Sequence, residues 1–222
     1  MPMQIASVRA RGGAIATNKL IRNTYTLLSM TLLFSAVTAT LSVFLRMPPM
    51  TYLLSVGGAF LLMWLVLPRA AQSASGIGVV FAITGLLGFA LGPILSMYLK
   101  LPNGPQIVAT ALGGTGVIFL GLSFYALTTR RDFSFMGGFL FVGMLVVLGA
   151  SLLNIFLAIP AMSLAMSAAI VMLMSGYILF DTSRMIHGGI DNYIVATVGL
   201  FLNIFNLFLS LLQLLGFSSD NR

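Results

Sequence analysis

Cysteine is absent from all 222 residues, and only four residues are acidic. The first absence excludes disulfides, thiolate nucleophiles and cysteine-ligated metals. Histidine occurs once, as His187, and lysine twice, as Lys19 and Lys100. Several catalytic classes fall away with so few titratable groups. An intramembrane serine protease needs a base beside its serine, and no histidine lies within a span. An intramembrane aspartyl protease needs two facing carboxylates, and only Asp181 lies near a span. A Schiff-base lysine would have to sit at membrane depth, whereas Lys19 and Lys100 flank spans. No glycine-rich phosphate loop follows a strand. The chain reads as a non-enzyme with no resident cofactor and no metal centre.

What the chain does have is apolar length. Hydrophobic residues make up 59%, charged residues 7%, and the mean hydropathy is +1.07. Soluble domains are about 25% charged, so this composition belongs to a membrane protein. The apolar runs reach the roughly 20 residues that a spanning helix needs and show no period-two alternation. The expected fold is therefore an all-α polytopic bundle. Seven segments are predicted, at about Thr24–Leu45, Thr51–Leu67, Gly78–Leu99, Gln106–Thr129, Ser134–Leu157, Met162–Thr182 and Tyr193–Gly216. Residues 1–22 read as a soft, basic cytosolic tail, 23–217 as the bundle and 218–222 as a short periplasmic tail. With the N-terminus inside, eight Lys and Arg side chains lie inside and three outside, which favours a cytoplasmic N-terminus and a periplasmic C-terminus. The net charge of +7 follows from that topology and from contact with the lipid bilayer, with no nucleic acid implied. In the tail, Arg9, Arg11 and Lys19 are candidate partner contacts.

The last segment organises the rest. Ala196, Gly199, Asn203, Asn206, Ser210 and Gln213 recur at spacings of three and four and fall on one helical face. Amides at membrane depth need hydrogen-bond partners, so the seventh helix belongs inside the bundle. Gly85, Gly88, Gly92 and Ser96 share a face of the third segment, and further glycines stud the fourth and fifth, where close helix packing is expected. Asp181 closes the sixth segment, where a carboxylate is costly unless paired or hydrated. Two readings stand side by side: a helix-end carboxylate satisfied by Arg184, Thr182 or backbone, or a latch and transient cation contact facing Asn203 and Asn206. Asp191 is expected to cap the seventh helix. His187 lies in a loop without acidic or cysteine neighbours, a poor metal site.

The phrases LLSMTLLFSAVTA, TGLLGFALGPILSMY, SGYILFDTSRMIHGG and FLNIFNLFLSLLQLLG resemble the Bax inhibitor-1 family across essentially the whole chain. RNTYTLLSMTLLFSA, ALTTRRDFSF and ATVGLFLNIFN are most similar to its proteobacterial branch, inner-membrane proteins associated with the membrane-anchored ATP-dependent protease FtsH. The resemblance implies seven helices, six wrapped around a central seventh, and a regulator that binds and modulates that protease. Some bacterial members are pH-sensitive calcium leaks, closed by an aspartate pair with an arginine from the second helix. Asp181 matches the first aspartate, Asn203 stands at the second, and the second segment holds no arginine. An acid facing an amide lacks the repulsion that drives a coupled titration, which weakens pH gating here. Weakly bound or transported Ca2+ through Asp181, Asn203, Asn206 and Gln213 is the alternative reading.

Overall fold

The computed structural model describes the backbone of residues 2–220 and the side chains of residues 15–217. Its helices are α1 (Pro2–Phe44), α2 (Met50–Ala70), α3 (Ser75–Tyr98), α4 (Gly104–Thr129), α5 (Gly137–Leu157), α6 (Pro160–Ile186) and α7 (Tyr193–Asp220). Among the described residues, seven helices are long and apolar enough to cross a membrane. Their boundaries sit at local stop signals. Arg46, Arg130 and Ala158 adopt left-handed φ of 51°, 48° and 51° just after α1, α4 and α5, which turns the chain out of the helix. Pro105 and Pro160 lie at the starts of α4 and α6, where a missing N–H costs nothing.

Three boundaries differ from expectation. α1 runs back through the segment expected to be a soft tail, and α7 continues to Asp220. The second segment does not end before Pro68 but runs to Ala70, through a π-helical turn at Leu62–Val66. Proline in a regular α-helix clashes with the carbonyl four residues back, and a widened turn just before it relieves that clash.

α7 is the buried centre: 67% of its most apolar window is inside the protein, against 11–44% for the other spans. Its extensive packing is with α1, α3, α4 and α6, while α2 lies outside α3 and α5 outside α6. The ring around α7 is thus four helices with two more in an outer position, not six in direct contact. Leu200, Phe201, Leu207 and Leu212 of α7 are each at most 2% exposed and form the middle of the core.

Small residues set the closest approach, between α1 and α3. A Cβ at Gly88 would meet the Ser35 carbonyl and the Thr38 hydroxyl, and one at Gly92 would meet Ser42. Expectation is only partly met elsewhere. Gly137 and Gly143 of α5 do pack against Phe180 and Leu173, but Gly113, Gly116, Gly121, Gly138 and Gly149 have open space where a side chain would go. Gly88→Leu should therefore lower stability by about 1–3 kcal/mol or more through overpacking. Gly113→Leu should leave it unchanged or slightly higher, since leucine favours helix over glycine. Thermal unfolding of the two variants in detergent checks the contrast.

Candidate functional site

α6 and α7 run antiparallel, joined by the short link 187–192. The link is built from its own side chains. The Gly189 N–H donates to the Arg184 carbonyl at 2.7 Å, and Arg184 Nη2 donates back to the Gly189 carbonyl at 2.8 Å. The Arg184 guanidinium also lies 5.3 Å from the Phe180 ring centroid, a cation–π distance. Arg184 is thus a staple for the turn, and the hydrogen bond to Asp181 comes from a different residue. Gly188, at φ 80°, makes the turn itself.

The cap of α7 is Asn192, which corrects the expectation for Asp191. Asn192 Oδ1 accepts from the N–H groups of Ile194 at 2.9 Å and Val195 at 3.4 Å, the second and third positions of a helix that begins at Tyr193. Its Nδ2 donates to the Ala71 carbonyl at 2.8 Å, so one amide caps α7 and ties it to the end of α2. Asp191 lies one residue too early and stays exposed.

The polar face of α7 is covered by α6. Asn203 Nδ2 donates to Asp181 Oδ2 at 2.8 Å, and Gly199 lies beside the carboxylate, where a Cβ would make ordinary contact with Oδ2 at 3.5 Å. Further along, Ser167 Oγ donates to Gln213 Oε1 at 2.7 Å. The pairs 181 with 203 and 167 with 213 are what an antiparallel register requires. Asn206 does not join them, because its Nδ2 donates to its own Leu202 carbonyl at 2.9 Å. Asn203 and Ser210 are buried, and Asn206 is half-buried. Asp181 and Asn203 thus pair with each other, Gln213 pairs with Ser167 and Asn206 turns back on its own helix, so no continuous ladder forms.

A hydroxyl layer that sequence reasoning missed holds α1 against this seam. Tyr25 Oη lies 3.3 Å from Thr182 Oγ1, and Thr197 Oγ1 donates to the Tyr193 carbonyl at 2.7 Å and towards the Thr24 carbonyl at 3.4 Å. The one available signal was position, since Thr182 follows Asp181 and Thr197 lies within the first turns of α7. On the adjoining surface, Ser183 Oγ accepts from the Phe133 N–H at 2.9 Å and donates to the Arg131 carbonyl at 3.3 Å. The ring Nδ1 of exposed His187 lies 2.9 Å from the Ser183 carbonyl. No group of three metal-ligating side chains occurs among the described residues. Lys19 is exposed, while Arg9 and Arg11 lie outside the described residues.

Asp132, in the loop between α4 and α5, has its carboxyl held below the ordinary aspartate range by the Ser134 hydroxyl and then by the Ser134 N–H, which donates to Oδ1 at 2.8 Å. A depressed acid contributes stability that is present above its unfolded-state pKa and lost as pH falls through the folded one. Ser134→Ala should raise the Asp132 titration midpoint, as read by carboxyl NMR shifts. At the seam, Asn203→Leu leaves the Asp181 acceptor unpaired and should cost about 1–3 kcal/mol. Asp181→Leu combined with Asn203→Leu should recover part of that loss, giving a coupling of about 0.5–3 kcal/mol in a double-mutant cycle of unfolding midpoints.

Comparison with known proteins agrees with this architecture. A family model described as "Inhibitor of apoptosis-promoting Bax1" matches residues 17–220. An Escherichia coli K12 protein named "Modulator of FtsH protease YccA" is 48% identical over 215 residues, covering 97% of each chain. An uncharacterized membrane protein of Vibrio cholerae is 47% identical over 93% of each chain, and an uncharacterized protein of Pseudomonas aeruginosa is 45% identical over 90% of each. With a family model spanning its whole bundle and relatives of this similarity, the chain belongs to the Bax inhibitor-1 family as a multi-pass membrane protein.

Proposed function

We propose that this chain is an inner-membrane modulator of an FtsH-type, membrane-anchored ATP-dependent protease, acting by contact and not by catalysis. The observation that carries the reading is the 48% identity over 97% of both chains to the E. coli protein named as a modulator of that protease. The geometry supports it. Asp181 with Asn203 and Ser167 with Gln213 hold α6 to α7, and the described bundle offers a partner an exterior of apolar helices. Seven candidate spans and the Lys and Arg balance support a cytoplasmic N-terminus with the C-terminus on the opposite side. The basic N-terminal segment is then on the side where a cytosolic unfoldase works. Deleting Met1–Ala16 should abolish co-purification with the protease and slow the chain's own turnover in cells while leaving the unfolding midpoint of the bundle unchanged. Turnover and co-purification equal to the full chain would sink this mechanism.

A second reading, a cation leak, draws support from one observation: the Asp181 carboxyl accepts its hydrogen bond from an amide. Calcium flux into liposomes decides it. Flux through the wild-type protein that falls in Asp181→Asn would favour the leak. No wild-type flux, with flux gained in Asn203→Asp, would mean that the amide closes the path.

A further inference from the structure

At the end of the bundle where α3 and α7 finish, a cleft of about 720 Å³ lies between α3, α5, α6 and α7. Its volume is that of a ligand site, about 300–1,000 Å³. The substantial packing of α5 is all against α6, so the cleft opens sideways between α3 and α5 instead of leading down the axis of the bundle. Its floor is closed where the Tyr98 ring lies against Gly216, at which a Cβ would collide with that ring. The cleft also lies far from Asp181. Gln213 is ten residues beyond Asn203, about 15 Å along the helix.

The walls have two characters. Met97, Leu101, Ile155 and Leu164 supply apolar surface, while Ser163, Asn154 and Gln213 supply polar groups. Most of the polar capacity is used within the protein. Asn154 Nδ2 donates to Ser163 Oγ at 2.7 Å, and Asn154 Oδ1 accepts from the Ile159 N–H at 3.0 Å. Gln213 differs. Its Oε1 is taken by Ser167 Oγ at 2.7 Å, and its side chain is exposed in the cleft, so its amide N–H groups face whatever enters. A donor-bearing wall within the last turns of a spanning helix, next to apolar surface open to the bilayer, calls for a ligand with an acceptor at the interfacial level and a hydrocarbon tail below it.

We infer that this cleft binds one phospholipid, with the Gln213 amide donating to an acyl-ester carbonyl and a chain lying against Met97, Leu101, Ile155 and Leu164. Recognition is through the ester region, so the headgroup matters little. A diether lipid of the same headgroup and chains lacks these carbonyls, which separates recognition of the ester from mere filling of the cleft by hydrocarbon.

The full-length protein in nanodiscs of diester phosphatidylcholine, and in nanodiscs of the matching diether lipid, provides the test. Released protein is examined by native mass spectrometry for retained lipid, and a photoreactive acyl-chain probe maps the contact. One diester lipid should be retained, about tenfold more strongly than the diether lipid. Gln213→Leu should erase that difference in protein that remains folded, and crosslinks should fall on residues 97–101 and 155–164. Equal retention of diester and diether lipid by the wild type would overturn the inference, as would crosslinks spread evenly over the bundle. If Gln213→Leu fails to fold, Ser167→Ala, which frees the amide to turn, should still reduce the diester preference. An unchanged preference there counts against the inference.

Discussion

Hydrogen-bonding groups on a membrane-embedded helix have no water to fall back on, and that constraint shapes this molecule. α7 carries a carboxamide at Asn203, another at Asn206 and a third at Gln213, within a helix otherwise made of leucine, phenylalanine, isoleucine and valine. Left facing lipid, each would cost several kcal/mol. The bundle answers by laying α6 along that face, Asp181 opposite Asn203 and Ser167 opposite Gln213. Burial of α7 follows, and with it the surrounding positions of α1, α3 and α4.

The Asp181–Asn203 contact differs in kind from an acid pair. Two carboxylates at that distance would share a proton and separate when both ionise. An amide donating to one carboxyl oxygen holds the helices together whether or not the other oxygen carries a proton. Arg184, three residues beyond the acid, bonds to the Gly189 carbonyl and lies over Phe180, while the hydrogen bond to the acid comes from Asn203. Such a bundle is suited to presenting a constant shape to a partner.

The sequence made much of this legible. Composition and segment length indicated the helices, and the three-and-four spacing from Ala196 to Gln213 showed which helix is central and which of its faces is covered. Glycine was less informative. Gly88 and Gly92 sit where α1 approaches, but Gly113 and Gly149 follow the same spacing rules and face open space, because spacing names a face without naming its neighbour. The cap of α7 was misplaced by one residue, since Asp191 and Asn192 are both competent caps and only the backbone decides where the helix begins. Pro68 reads as a stop until the π-helical turn before it is seen. The hydroxyls of Tyr25, Thr182 and Thr197 carried no periodic signal, because their partners come from helices distant in sequence.

From Ala196 to Ser210 the polar face of α7 is sealed against its neighbours. The natural absence of cysteine allows a direct test by single-cysteine labelling in native membranes with a small water-soluble maleimide. Ala196→Cys and Ser210→Cys, at positions 3% and 5% exposed, should remain unlabelled under conditions that label the exposed reference Lys19→Cys. Rapid labelling at both buried positions would mean that water runs along this face, and the account of a sealed scaffold would be wrong.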